Sequence, residues 1–350
     1  MRHSIPPFSG PRWAAIFARY ASEPARVFGH TFAAVTRFSR VFGALLQVGL
    51  LAAASWFLIR TARSAWPDLT QVPLDVSWGP LVLASVLTVL TYALLIRAWV
   101  SSLAWWQQQL RYPVALYIWF TTNLARFVPG AVWQFVGLAA MVGEHGVSPV
   151  AAMGAVLLQQ LLFLATGLAL SLVLAPQFLG AWVQGIPAVA SASAAVLLLG
   201  GVVLGFPWLS PRLGRIIGRM LGREVPAPHP PHGRLVRYMG TLLLSWINYG
   251  IAFWLFGQAL LGEAHPGVPL AVGAFTTSYV AGLLAVFAPG GLVVREAALV
   301  AALSPALGAP RALVLALGSR IWLLALEILT AASVIAWFRS TRTPPSSPSV

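Results

Sequence analysis

The chain has 350 residues, of which 59% are hydrophobic and 9% are charged, and its mean hydropathy is +0.81. Apolar runs of about 20 residues recur along it, so the composition excludes an ordinary soluble domain and predicts an all-α polytopic membrane protein. The net charge of +14 comes from arginine without lysine. In a membrane protein, an excess of basic residues indicates which loops lie on the cytoplasmic side of the bilayer. It is therefore weak evidence for nucleic-acid binding, and no nucleic-acid partner is expected. The absence of cysteine excludes disulfides and thiolate metal sites.

Residues 1–40 form a basic leader. Within it, Trp13, Ile16, Phe17 and Tyr20 follow helical spacing between arginines. This pattern predicts a helix lying in the membrane interface, with an unstructured leader as the alternative. The leader is far longer than the basic region of a signal peptide, so no cleavable signal is expected.

Six apolar segments are long enough to cross a membrane as helices. They cover residues 41–59, 80–100, 150–175, 186–206, 238–261 and 312–338. A single transmembrane domain is therefore expected over residues 41–338. The Pro/Ser-rich tail at 339–350 is expected to be disordered.

Arginine placement predicts the orientation of the spans. Six arginines precede the first span and six lie in the 207–237 loop, whereas the 176–185 loop has none. Cytoplasmic loops carry the excess of basic residues, so the N-terminus and the 207–237 loop are predicted to be cytoplasmic. Arg339 and Arg342 predict the same side for the C-terminus. We therefore expect a multi-pass protein of the cell's inner (plasma) membrane.

Two proline–glycine breaks interrupt the remaining apolar segments. The residues at these breaks are Arg126, Pro129 and Gly130 in the first, and Pro289, Gly290, Gly291, Arg295 and Glu296 in the second. Proline removes a backbone donor, and hydrocarbon cannot satisfy the polar groups that a break exposes. Each break is therefore expected to be buried in protein or to line a wet cavity.

Each broken segment must begin and end on one side of the membrane. Residues 113–143 begin and end inside and residues 268–310 outside, whether each is a re-entrant hairpin or a pair of crossings. Re-entrance is favoured for the first, because about 16 residues before Pro129 cover about 24 Å of a core about 30 Å thick. The order span, span, broken segment, span then occurs twice with opposite orientation, over about 41–175 and 186–338. Such inverted repeats build many secondary transporters.

A weak internal similarity agrees with this repeat. The matched positions are Phe120 and Phe275, each opening a Phe-Thr-Thr triplet, Gly146 and Gly308, each in a glycine turn, and Gln159 and Arg320 in the next spans. The two triplets lie at distances from their prolines that differ by five residues. The triplet alone could therefore arise by chance.

Five charged residues at membrane depth are candidates for a binding site, because a charge at the bilayer centre costs about 2.5 kcal/mol or more. In the functional interpretation, the guanidinium groups of Arg126, Arg295 and Arg320 hold a lipid phosphate with the help of helix N-termini. In the alternative, these charges pair structurally or extend to the membrane surface. The expected pairs are Arg320 with Glu296, and Glu327 with Arg295 or Arg126.

Uncharged polar residues give weaker signals. Gln159 and Gln160 lie within a span, where a glutamine either lines a cavity or makes an interhelical hydrogen bond. Asn123, Gln134 and Asn248 are lesser candidates of the same kind.

No P-loop, HExxH, GxSxG or histidine cluster is present in the sequence. An enzyme is therefore not expected, nor is a metal or cofactor. The enzymatic alternative is a membrane glycosyltransferase that uses a polyprenyl-phosphate donor, with Asp68 and Asp75 in the first outer loop. A solvated loop explains both aspartates more simply.

Two motifs resemble the flippase-like membrane domain of the lysylphosphatidylglycerol synthase family. They are NLARFVPG at 123–130, followed by Gly-Val-Ser at 146–148, and APGGLVVREAA at 288–298, followed by Gly308 and Arg320. The resemblance covers roughly residues 40–338. It departs at Leu138, where the family often has a basic residue, and at Gln159 or Gln160, where it often has an acidic one.

The resemblance implies a bacterial or archaeal inner-membrane protein without the soluble aminoacyl-transfer domain. Some relatives move an aminoacylated phospholipid between leaflets, and others accompany glycosylation or polyprenyl-lipid pathways. The residues that carry over are Pro129, Gly130, Pro289, Gly290, Gly291, Arg295, Glu296 and Arg320. The expected function is translocation of an anionic lipid, either a phospholipid or a polyprenyl-phosphate-linked one. A non-catalytic partner of a separate glycosyltransferase or lipid synthase is the other alternative.

Overall fold

The computed structural model describes a helical protein, with no strand in the part of the chain that it covers. That part comprises residues 76–123, 133–174, 188–221, 230–285 and 293–341, with positions 56, 59, 60, 62–64, 66–68, 72, 228 and 291. The helices are α1 (Trp78–Leu103), α2 (Tyr112–Asn123), α3 (Trp133–Glu144), α4 (Pro149–Leu174), α5 (Ala188–Leu221), α6 (His232–Leu261), α7 (Val268–Leu284), α8 (Val294–Leu307) and α9 (Ala309–Ser340).

Five of the described helices, α1, α4, α5, α6 and α9, are long and apolar enough to cross a membrane. They confirm the prediction of a multi-pass helical membrane protein and the positions of five predicted spans. The predicted span at 41–59 and the basic leader lie outside the described residues, apart from helical positions such as Trp56 and Ile59. Gly146 and Gly308 have φ angles of +72° and +77°, which confirms the two glycine turns.

The predicted cytoplasmic loop at 207–237 is largely helical. Helix α5 continues to Leu221 through Pro207 and Pro211, and α6 begins at His232. An internal proline removes a backbone hydrogen bond and usually ends or kinks a helix. The helix tolerates both of them. At the C-terminus, α9 extends to Ser340, two residues beyond the predicted span and into the tail that was expected to be disordered.

Each broken segment contains two short helices. Helices α2 and α3 have 12 residues each, and α7 and α8 have 17 and 14. At about 1.5 Å per residue they are about 18 to 26 Å long, shorter than a hydrocarbon core of about 30 Å. The two helices of each pair pack against each other. The first break, with Arg126, Pro129 and Gly130, lies outside the described residues, as do Pro289 and Gly290 of the second.

The helix contacts repeat between the two halves of the described chain. With α1 to α4 matched in order to α6 to α9, the contact of α2 with α9 has its counterpart in that of α7 with α4. The contact of α1 with α4 likewise matches that of α6 with α9. The contact of α4 with α6 matches that of α9 with α1. Helices α1 and α6, which are counterparts of each other, are in direct contact. The pattern of helix contacts therefore repeats between the two halves.

Aromatic pairs at the centre follow the same relation. Tyr92 of α1 packs edge-on against Phe120 of α2, with ring centroids 6.0 Å apart. In the other half, Tyr249 of α6 packs against Phe275 of α7 at 5.8 Å, and the two tyrosines meet at 6.2 Å. The phenylalanines are the first residues of the two Phe-Thr-Thr triplets, which therefore occupy equivalent places.

Small residues allow the central helices to approach closely. A Cβ atom on Gly250 of α6 would lie 2.6 Å from the Cα of Val272 in α7. A Cβ on Gly167 of α4 would lie 2.8 Å from the ring of Trp246. This is the small-residue packing that membrane helices use when no hydrophobic effect holds them together.

Candidate functional site

Arg295 is a buried arginine in the first turn of α8. Its side chain is 7% exposed. The residue before the helix, Val293, has a φ of +70°, an unusual angle for a β-branched residue. No side chain caps the N-terminus of α8. The second break therefore leads into a strained turn that places a cation inside the protein.

The guanidinium group of Arg295 lies against two aromatic rings of α7. Its Cζ is 4.9 Å from the ring centroids of both Phe275 and Tyr279. Cation–π contacts of this kind stabilise a desolvated charge by about 2 kcal/mol each. The buried Nη2 donor of the guanidinium group has no hydrogen-bond partner among the described residues.

Glu296 and Arg320 form an ion pair beside Arg295. Arg320 Nε lies 3.8 Å from Glu296 Oε1, and the two side chains are 21% and 7% exposed. This confirms the predicted pair. Within the described structure the second carboxylate oxygen, Oε2, is buried without a hydrogen-bond partner. The three side chains together carry one excess positive charge, and both Glu296 and Arg320 interact electrostatically with Arg295.

Glycines bring α7 against the turn that carries Arg295. A Cβ on Gly282 would lie 3.2 Å from the Cβ of Arg295, and one on Gly291 would lie 2.9 Å from the Cα of Gly282. Gly291 also has a φ of +67°. A side chain at Gly291 would therefore be strained by the backbone angle and by the close contact. This predicted site residue acts through its backbone.

Glu327 belongs to a second polar cluster. It is 4% exposed, and Asn123 Nδ2 of α2 donates a hydrogen bond to its Oε1. Gln134 Nε2 of α3 in turn donates to Asn123 Oδ1 at 3.3 Å. The cluster connects the broken segment of the first half to the last span of the second half.

Of the two predicted partners of Glu327, Arg295 makes no ion pair with it in the described structure. Arg295 lies on the rings of α7, whereas Glu327 accepts a hydrogen bond from an amide of α2. The alternative partner, Arg126, lies outside the described residues.

Gln159 makes interhelical hydrogen bonds to α1 and α6. Its Nε2 donates to the Leu95 carbonyl of α1 at 3.1 Å, and its Oε1 accepts from the Tyr238 hydroxyl of α6 at 3.3 Å. Both ends of its amide therefore serve helix packing. The structure supports the interhelical interpretation of this residue over the cavity-lining one.

The sequence analysis missed two residues of the site, Phe275 and Tyr279, whose rings contact the guanidinium group of Arg295. They are one helical turn apart, so both rings lie on the same face of α7. Two aromatic residues at this spacing, shortly before the arginine motif, were the sequence signal that could have predicted this contact. Of the alternative catalytic residues, Asp68 is exposed and Asp75 lies outside the described residues.

No known protein-family profile matches the chain, and no curated protein matches it either.

Proposed function

We propose that this protein is a flippase-like membrane protein that binds an anionic lipid head group at Arg295 and Arg320 and moves the lipid between leaflets. One observation carries the proposal. Arg295 is a buried cation, and its Nη2 has no hydrogen-bond acceptor among the described residues. Such an atom is costly unless a ligand or water meets it.

The chemistry of the cluster favours a phosphate-bearing head group. Two guanidinium groups and one carboxylate leave an excess positive charge in a site of low dielectric constant. Guanidinium binds phosphate through paired N–H donors, and the uncapped N-terminus of α8 adds backbone N–H groups that favour an anion. Arg320 is more exposed than Arg295 and Glu296, so it provides the approach to the buried donor.

The architecture supports transport. The matched helix contacts and the two pairs of short helices agree with an inverted repeat whose broken segments are re-entrant, with the site beside the break of the second half. The arginine bias supports cytoplasmic termini. Re-entrance and orientation are parts of the proposal.

The sequence resemblance adds support from another direction. Gly291, Arg295, Glu296 and Arg320 match the family's second motif and the span after it, and they lie together in the structure. From both lines of reasoning we infer a flippase-like function, similar to that of the membrane domain of the lysylphosphatidylglycerol synthase family.

Leaflet exchange by the purified chain tests the proposal. The chain is reconstituted in liposomes with a fluorescent phosphatidylglycerol, and a membrane-impermeant reductant quenches the label in the outer leaflet. We expect the native chain to expose the inner-leaflet label and Arg295→Met to expose it much more slowly. The control is Arg234→Met, at an exposed arginine in the first turn of α6.

The alternatives predict different outcomes. A scaffold for a separate synthase gives no exchange with the native chain, and a glycosyltransferase loses product formation when Asp68 and Asp75 are replaced. Native exchange that is unchanged by Arg295→Met would contradict the proposed site, and lack of exchange would contradict transport.

A further inference from the structure

Arg295 and Glu296 carry polar atoms of opposite kind that are both unsatisfied. Nη2 of Arg295 is a buried donor and Oε2 of Glu296 is a buried acceptor, and neither has a hydrogen-bond partner in the part of the chain that the structure describes. The two residues are consecutive in the first turn of α8, and they are 7% and 5% exposed. A buried polar atom without a partner is destabilising. An anion bound to Arg295 would satisfy the donor and leave the acceptor unsatisfied.

The carboxylate of Glu296 does not cap its own helix. A glutamate at the third position of a helix often accepts a hydrogen bond from the backbone N–H of the residue before the helix. That residue is Val293, and Oε2 does not accept from it. The other oxygen, Oε1, lies 3.8 Å from Arg320 Nε, which makes an ion pair but is too long for a hydrogen bond. Glu296 therefore retains the capacity to accept a hydrogen bond from a ligand.

Charge distinguishes the two kinds of donor that could meet Oε2, an ammonium group and a hydroxyl group. The described side chains of the cluster are two guanidinium groups and one carboxylate, with one excess positive charge. A phosphodiester carries one negative charge and neutralises that excess. An ammonium group on the same head group would restore an uncompensated positive charge inside the protein, which is costly. A hydroxyl group supplies the donor without a charge.

We propose that the head group bound at this site is a phosphodiester of an uncharged alcohol that keeps at least one free hydroxyl, such as glycerol or a sugar. The phosphate accepts a hydrogen bond from Arg295 Nη2, and a hydroxyl group donates one to Glu296 Oε2. This inference rests on the proposed function and adds the class of head group, with Glu296 as the residue that selects it. Arg320 is the most exposed of the three side chains, so we expect the head group to approach past it.

Comparison of lipids that differ only in the alcohol tests this selection. Native mass spectrometry of the full chain in a neutral detergent measures the fraction that carries each added lipid. Phosphatidylglycerol is compared with phosphatidylmethanol, which has the same charge and acyl chains but no hydroxyl group. Farnesyl phosphoglucose is compared with methyl farnesyl phosphate in the same way, so the two pairs distinguish glycerol from a sugar. Phosphatidylethanolamine tests an ammonium group in place of the hydroxyl.

We expect the native chain to bind the hydroxylated lipid of at least one pair about 10-fold or more tightly than its methyl counterpart, because the methyl ester lacks a hydrogen bond to a charged group. Phosphatidylethanolamine should bind no more tightly than phosphatidylmethanol. Glu296→Gln should abolish the preference, because the amide presents an N–H donor in place of Oε2 when its oxygen stays beside Arg320. The control Glu263→Gln, at an exposed glutamate between α6 and α7, should keep the preference.

Equal binding within both pairs by the native chain, or tightest binding of phosphatidylethanolamine, would overturn this inference and leave the proposed function standing. These comparisons use the native chain, so they decide the matter even where Glu296→Gln does not fold. A preference that persists in folded Glu296→Gln would overturn the role of Glu296. Failure of the native chain to bind any of the anionic lipids would instead contradict the proposed function, and this inference with it.

Discussion

Replacing Arg295 by methionine is the perturbation that best separates binding from folding. Methionine is a flexible side chain that keeps favourable contact with the rings of Phe275 and Tyr279, and it removes the buried charge. Glu296 keeps Arg320 as its ion-pair partner in the variant. The change therefore removes mainly the Nη2 donor and its positive charge.

The expected effects on affinity and on stability differ in size. A hydrogen bond to a charged group contributes about 1.5–3 kcal/mol, so loss of one such bond weakens the binding of an anionic lipid about 10- to 150-fold. The free energy of unfolding should change by no more than about 2 kcal/mol. Loss of the cation–π contacts is offset there by removal of a buried charge.

The assay is energy transfer from the protein's tryptophans to a dansyl-labelled phosphatidylglycerol, titrated in micelles of a neutral detergent. Thermal unfolding of the same samples measures stability. Arg234→Met, which changes an exposed arginine, should bind the lipid like the native chain. Equal lipid affinity of Arg295→Met and Arg234→Met would refute the assignment of Arg295 as a ligand of the head group.

Three further predictions concern stability, measured by thermal unfolding in detergent. Reversing either charge of the Glu296–Arg320 pair should destabilise the fold by about 3–5 kcal/mol, and the double reversal should recover over half of that loss. Gly250→Ala should cost about 1–3 kcal/mol, because its Cβ meets the backbone of α7, whereas Gly240→Ala has open space and should not destabilise. Glu327→Leu should cost about 1–3 kcal/mol by removing the carboxylate that accepts a hydrogen bond from Asn123 of α2, and Glu327→Gln should cost less. Single reversals, Gly250→Ala or Glu327→Leu with native stability would contradict these contacts.

The spans were predictable because membrane crossing is a property of local sequence. A helix needs about 20 apolar residues to cross, and such a requirement can be read from composition alone. The limits of α5 were not predictable in this way. Pro207 and Pro211 indicate a helix end by local rules, and the helix continues through both.

The ion pair of the site was predictable, and the rest of its environment was not. A buried charge needs a partner, which restricted Glu296 to a few arginines and led to Arg320. The rings beneath Arg295 depend on how closely α7 packs against the turn before α8, which the glycines at 282 and 291 determine. That distance is a tertiary property.

The partner of Glu327 shows the same limit. Its hydrogen-bond donor, Asn123, is separated from it by 204 positions and lies in the other half of the chain. Only the contact between α2 and α9 brings them together. Sequence reasoning identified both residues as candidates but could not join them.

The lipids that copurify with the protein test the central claim most directly. The native chain and the double variant Arg295→Met/Arg320→Met are extracted under identical conditions, and their bound lipids are compared by mass spectrometry with the lipids of the source membrane. We predict that the native chain is enriched in one class of anionic phosphate-bearing lipid and that the double variant is not. A native chain with the average lipid composition of the membrane, or a double variant with undiminished enrichment, would contradict the account.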